Sequence, residues 1–203
     1  ISVSYFSLRK NITINISKVF RAAIFFLSGI PLSVSLKASP LIDANFQIAV
    51  NLWFSDESNA TRLYGHIRDW NTSAVTDMSH AFKGKESFNE DISGWDVSSV
   101  TTLQETFNGA SAFNQPIGGW DVSSVINLAW TFSQATSFNQ PVNNWDVSSV
   151  LYMPGTFRYA TSFDQPIGAW DVSSVRTMGG LFWGASSFNQ SIGDWDCLLY
   201  TSP

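Results

Sequence analysis

Apolar positions fall on a fixed beat from Trp70 onward. Around Ile117, Trp120 and Val122 the order is apolar-x-x-apolar-x-apolar, ending in the alternation of a short strand with one buried face. Ser124 then precedes Val125, Leu128, Phe132 and Ala135, whose spacings of three, four and three predict a short helical segment with the serine as its N-cap. Copies containing Met153-Pro154-Gly155 and Met178-Gly179-Gly180 make poor helix interiors, because proline lacks an amide donor and glycine is too permissive. The helical segments should be short, and irregular in the last two copies.

The beat has a period of 25: Trp recurs at 70, 95, 120, 145, 170 and 195 without insertion. Two phenylalanine columns keep it, Phe82 to Phe182 and Phe88 to Phe188, and the letters WDVSSV return unchanged at Trp95, Trp120, Trp145 and Trp170. A fixed period of this length signals repeats that bury their apolar faces only by stacking on one another. The expected fold class is an α/β repeat solenoid, leucine-rich-repeat-like and right-handed, with one short parallel strand and one short helical segment per 25-residue coil and an N-terminal helical cap. It should cover residues 70–196 as five repeats and the start of a sixth, with the four WDVSSV tryptophans inward. Asn89, Asn114, Asn139 and Asn189 are expected to form a buried amide ladder, each donating to one neighbouring coil and accepting from another. Asp164 should interrupt that ladder by losing the donor.

The flanks differ. Residues 36–69 lack the repeat letters, place Phe46, Val50, Trp53 and Phe54 on one helical face, and read as the N-terminal capping segment. No matching cap follows, so the chain reads as a piece of a longer array. Residues 1–35 begin with Ile and read as a non-native start plus a signal peptide: Lys18 and Arg21 precede the apolar run AAIFFLSGIPLSVSL, with Ser33 and Ser35 near its end. Pro31 and the run's shortness disfavour a spanning helix, so membrane contact is expected only through this segment if it stays uncleaved. Residues 197–203, CLLYTSP, break the pattern and read as a non-native tail. Its Cys197 is the only cysteine, so no internal disulfide can form.

Apolar residues make up 44% of the 203, enough to bury a core, while charged residues make up only 13%. Packing and stacked polar groups must therefore hold the fold more than ion pairs do. Arg9, Lys10, Lys18 and Arg21 all lie in the first 35 residues, which leaves 7 basic against 16 acidic residues, 7 − 16 = −9. Such an acidic domain repels phosphate backbones and argues against nucleic acid as a partner. Cations, glycans and proteins remain open.

The coil FNQPIGGWDVSSV, followed by Met or Leu in the pattern M/L-x-x-x-F-x-x-A-x-x-F, resembles the BspA-like leucine-rich repeat surface proteins. The same repeat occurs in mycoplasma lipoproteins and in secreted proteins of marine microbes. The likeness covers residues 70–196. It implies a leucine-rich-repeat-like solenoid at a cell surface, used for adhesion or partner binding, and brings no general catalytic residues with it.

Among candidate sites, the Asp96, Asp121, Asp146 and Asp171 column invites a calcium reading. The Asx-turn reading is stronger, since one oxygen column cannot supply six to eight ligands and each aspartate can accept from amides just after it. The paired serines, from Ser98 and Ser99 to Ser173 and Ser174, form two hydroxyl files that either cap the following segments or face ordered water or sugar. Catalysis finds no support: His66 and His80 are the only histidines, and no triad or metal-ligand spacing is present. Neither a metal nor a cofactor is expected. Binding information must then lie in the variable columns, which hold His80, Lys83, Glu105, Leu151, Trp130, Trp183, Tyr152, Arg158, Tyr159 and Arg176. The last six are the candidate ligand-binding residues; Trp130 and Trp183 either anchor a ligand or cover the edges of neighbouring coils. Asn59, Asn71 and Asn189 head glycosylation sequons, Asn189 being the poor candidate if its column is buried. The expected function is a secreted or cell-surface binding module for an extracellular protein or glycan. The alternative is an ice- or crystal-surface binder using the serine files.

Overall fold

The computed structural model describes residues 40–196. Segment 1–35 and tail 197–203, with the signal-peptide and Cys197 readings that rest on them, lie outside the described residues.

Every repeat is a coil of reverse turns stacked on the next. In the second coil the amides of Leu103, Glu105, Phe107 and Gly109 donate to the next coil, to the carbonyls of Asn127, Ala129, Thr131 and Ser133, over 2.8 to 2.9 Å. The amides between them close turns on their own coil: Thr106 donates to the Leu103 carbonyl, Asn108 to Glu105 and Ala110 to Phe107, over 3.0 to 3.2 Å. From Leu103 to Ala110 the backbone thus divides its donors alternately between its own coil and the next.

This pattern overturns the expected α/β leucine-rich-repeat-like fold. Among the described residues there is no strand and no sheet; successive coils share only single parallel bridge pairs, along Asp77, Thr102, Asn127, Tyr152 and Thr177. The segment read as a strand is two turns instead, with the Trp120 amide on the Ile117 carbonyl at 3.1 Å and the Val125 amide on Val122 at 2.8 Å. The physical reason lies in the spacing: three-residue steps place both ends of a β-turn inward, and the alternation spans too few residues to extend a strand. The segment read as a helix is not one either. Its backbone turns left-handed at Trp130 (φ 52°) and Gln134 (φ 59°), and from Trp130 to Ala135 its amides bond either to the next coil or to carbonyls three residues back, not four. Ser124 therefore has no helix to cap.

Side chains inside the stack repeat at coil spacing. Phe82, Phe107, Phe132 and Phe157 stack ring on ring at 5.5 to 5.6 Å, and Phe107 also stacks on Phe113 of its own coil at 4.0 Å. Trp95, Trp120, Trp145 and Trp170 are only 3 to 4% exposed. Each indole reaches across a coil boundary: the Trp145 N–H donates to the Ile117 carbonyl at 3.1 Å, and Trp170 repeats the bond to Val142 at 3.0 Å. Buried aromatics of this kind contribute about 2 to 3 kcal/mol each, and the bond removes the cost of hiding the indole N–H.

The two α-helices of the described residues precede the repeats: α1 (Asp43–Ser55) and α2 (Glu57–Tyr64), followed by a 3-10 turn at Ile67–Asp69. α1 buries Phe46, Ala49, Val50 and Trp53. Phe46 meets Trp95 edge-on at 5.8 Å and Phe54 meets Phe88 at 5.8 Å, so the helix covers the open end of the aromatic stack. It also closes the backbone ladder. Inside the stack the Thr101, Ile126, Leu151 and Arg176 amides donate to the preceding coil. Thr76 has no preceding coil, and its amide and hydroxyl bond instead to the Asp43 carboxylate, both at 2.7 Å. Burial raises the Asp43 pKa, but these bonds and one from the Asp77 amide outweigh it and hold the group below its ordinary value.

Candidate functional site

Left-handed backbone recurs twice per coil. One column holds His80, Glu105, Trp130, Gly155 and Gly180; the other holds Gly84, Gly109, Gln134, Tyr159 and Gly184. Glycine takes this conformation freely, whereas any other residue is strained there by about 1 to 2 kcal/mol. The strained positions are not scattered. Of the five non-glycine residues with positive φ among the described residues, four, Glu105, Trp130, Gln134 and Tyr159, line a single open cleft of about 390 Å³. Strain that persists and gathers in one place points to function.

The cleft lies on the side of the stack where these columns emerge, with Asn108, Ser133 and Arg158 completing its lining. Its aromatic walls rest on glycine. The Trp130 indole occupies the space that a β-carbon on Gly155 would fill, and the Tyr159 ring does the same at Gly184. Trp130 remains 38% exposed, so one side of the ring is seated on backbone while part of it faces water. Arg158 extends between rings, its guanidinium carbon 5.2 Å from the Tyr159 centroid and 5.8 Å from that of Trp183, which is 64% exposed.

Charge in the cleft is arranged unevenly. Lys83 and His80 both pair with Glu105, and Asn108 donates to the same carboxylate at 2.9 Å. Burial pushes the Glu105 pKa up, but the Lys83 and Asn108 bonds and the nearby Lys83 and His80 charges together bring it below its ordinary value. Arg158 has neither a carboxylate partner nor a hydrogen bond from its guanidinium among the described residues. The Ser133 and Gln134 side chains also make no hydrogen bond there.

Of the residues singled out from sequence, the cleft gathers Trp130, Arg158 and Tyr159, and Trp183 joins through Arg158. Tyr152 and Arg176 are exposed but lie outside it. Trp130 does cover its neighbouring coil, at Gly155, without being buried by it. Asn108, Ser133 and Gln134 were not among the sequence candidates. Gln134 had a signal in the broken glycine column, where other coils write Gly84, Gly109 and Gly184, and Asn108 and Ser133 share the variable column of Lys83, Arg158 and Trp183.

The structural columns behave in their own ways. Asp96, Asp121, Asp146 and Asp171 each accept from the serine two residues on, from its amide at 3.0 to 3.1 Å and its hydroxyl at 2.6 Å. Those serine bonds, hydroxyl first, hold all four carboxyls below the ordinary aspartate value. Among the described residues no group of three His, Cys, Asp or Glu side chains could hold a metal. The asparagine column works differently from the expected amide ladder. Asn114 and Asn139 each take one bond at 2.9 Å on their side-chain oxygen from the next coil's backbone amide, and the following glutamine adds another. Only the oxygen is used, so Asp164 continues the ladder, accepting from the Asn189 amide at 2.9 Å and from Gln190 at 2.8 Å. The column is half-buried to exposed, and Asn189 is exposed, because it lines an outer turn.

A family model described as "Mycoplasma protein of unknown function, DUF285" matches residues 50–155 and again residues 117–201. The chain belongs to this family. Two overlapping matches are what a repeated unit produces, and they place the DUF285 repeat over the turn-built coils seen here. No curated protein and no solved structure matches the chain. The family's description assigns no function, so for this DUF285 member the cleft has to carry the functional reading. No helix among the described residues is long and apolar enough to cross a membrane.

Proposed function

We propose that this chain is a secreted or cell-surface binding module, akin to the BspA-like surface proteins, that engages an extracellular protein or glycan through the face carrying the Trp130 cleft. One observation carries this reading: among the described residues, four of the five strained non-glycine residues converge on one cleft beside an unpaired arginine. Exposed aromatics with an arginine among them are the usual anchors of recognition, and the cleft is too open and too poor in convergent acid-base groups to suit catalysis. Binding there needs no cofactor or metal. The acidic balance of the repeats disfavours nucleic acid.

The serine files give little to an ice- or crystal-surface reading. In each of the WDVSSV copies the first serine hydroxyl is already donated to an aspartate at 2.6 Å, so that file offers no free donor row.

The test is a protein and glycan array probed with the full chain and with the double variant Trp130→Ser, Trp183→Ser. Binding that disappears in the variant while the chain keeps a cooperative unfolding transition supports the reading. An array without any hit, or hits the variant keeps, removes this face as the binding surface.

A further inference from the structure

The column that supplies Arg158 runs along the stack as Lys83, Asn108, Ser133, Arg158 and Trp183, one residue per coil. Equivalent phenylalanine rings of neighbouring coils lie 5.5 to 5.8 Å apart, and the Lys83 to Trp183 column follows the same order of one residue per coil. Lys83 is neutralised by Glu105 at one end of the column. At the other end Arg158 is left charged and unpaired, between the Tyr159 and Trp183 rings. Between them the Ser133 hydroxyl and the Gln134 amide have no hydrogen-bond partner within the described residues, although both line the cleft. A polar group beside a partly desolvated wall loses free energy unless something bonds to it, and water or a ligand must fill that role.

We infer that the cleft is a site for a saccharide bearing a single carboxylate, and this rests on the reading of the Trp130 face as a binding surface. Each part of such a sugar has a complement. The Arg158 fork matches a carboxylate with two parallel N–H donors, and its guanidinium carbon lies 5.2 and 5.8 Å from the centres of the Tyr159 and Trp183 rings. Trp130 and Tyr159, seated on Gly155 and Gly184, present ring surface to the apolar C–H face of a pyranose. Gln134 and Ser133 supply the donors and acceptors that ring hydroxyls require. A neutral sugar would leave Arg158 uncompensated. A densely sulfated polymer would bring many negative charges to a cleft whose one unpaired cation among the described residues is Arg158, on a chain of net charge −5. One charge on a stacking ring fits both restrictions.

The experiment is calorimetric titration of the full chain with matched pairs, a glucuronate disaccharide against its glucose counterpart and sialyllactose against lactose. Heparin and a protein array are run alongside. The carboxylated member of at least one pair should bind ten-fold or more tightly than its neutral match. Arg158→Met should bring the two within two-fold of each other without moving the unfolding midpoint, and Trp183→Ser should weaken both. Equal binding of both members, a preference that survives Arg158→Met, or binding to heparin alone overturns the inference. If only the protein array responds, and the response is lost in Trp130→Ser, the carboxylated sugar is wrong and the binding face stands. If no arm responds, both fall.

Discussion

The indole of Trp130 occupies the place where a β-carbon of Gly155, its counterpart one coil later, would stand. Neither residue is explained alone. Trp130 is strained at φ 52°, and Gly155, at φ 59°, leaves the gap that receives its ring. Gly155→Ala should therefore fail twice, by backbone strain and by expelling the indole, for a loss of about 2 to 3 kcal/mol. Gly119→Ala is the control, with ordinary φ and open space around it, and should change little. Urea unfolding of the two variants decides the matter; equal midpoints would show that the Trp130 seat is not tight.

Gln134→Gly should do the opposite. Gln134 holds a left-handed backbone (φ 59°) that Gly84 and Gly109 adopt in earlier coils, and its side chain bonds to nothing among the described residues. Relief of strain should raise stability by up to about 1 kcal/mol. If Gln134 serves the cleft, affinity for the bound partner should fall in the same variant. Stability and affinity moving together would sink the idea that strain is kept for binding.

Trp120→Ala should cost about 3 to 5 kcal/mol, because the indole is 4% exposed and its ring lies 6.2 Å from that of Phe107. Trp120→Phe keeps most of the apolar surface but removes the N–H that bonds to the Ile92 carbonyl at 3.3 Å. It should lose less, about 1 to 3 kcal/mol, from the lost hydrogen bond and a small void, since the Ile92 carbonyl keeps its bond from the Trp95 amide. Chemical denaturation of both separates packing from hydrogen bonding.

Asp164→Asn should leave the unfolding midpoint unchanged, since only the side-chain oxygen takes part in the ladder. Asn139→Ala, by contrast, strips an acceptor used by the Asp164 amide and by Gln165 and should cost about 1 to 2 kcal/mol. A large loss in Asp164→Asn would mean that its charge, and not its oxygen, is what the column needs.

Acid should weaken the stack in a defined window. The Asp96, Asp121, Asp146 and Asp171 carboxyls sit below their ordinary value in the folded chain, chiefly through the serine hydroxyls, so the folded state binds fewer protons than the unfolded one near pH 4. Their contribution is complete above the unfolded value and is lost as pH falls through the depressed folded values. Thermal midpoints should hold from pH 8 to about pH 5 and drop below about pH 4. Replacing Ser98, Ser123, Ser148 and Ser173 with Ala should flatten that drop. An unchanged acid limb in the quadruple variant would place its origin elsewhere.

The sequence by itself determined the period and what is buried on it. Trp95 to Trp170 and the phenylalanine columns could be read as stacked because an invariant apolar residue at a fixed interval has few other uses. The aspartate turns were also legible, since Asp-x-Ser can close its own hydrogen bonds within three residues. Backbone state was not legible. Val125, Leu128, Phe132 and Ala135 point inward just as a helix would place them, yet left-handed residues alternate among them. Inward spacing records side-chain direction, and only the carbonyls of the adjoining coil decide where the amides go. The asparagine column shows the same limit, because the partner of each side-chain oxygen is a backbone amide that no residue letter announces. The cleft, too, belongs to the tertiary structure: Glu105, Gln134 and Tyr159 are far apart along the chain, and the stacking of successive coils brings them to one wall.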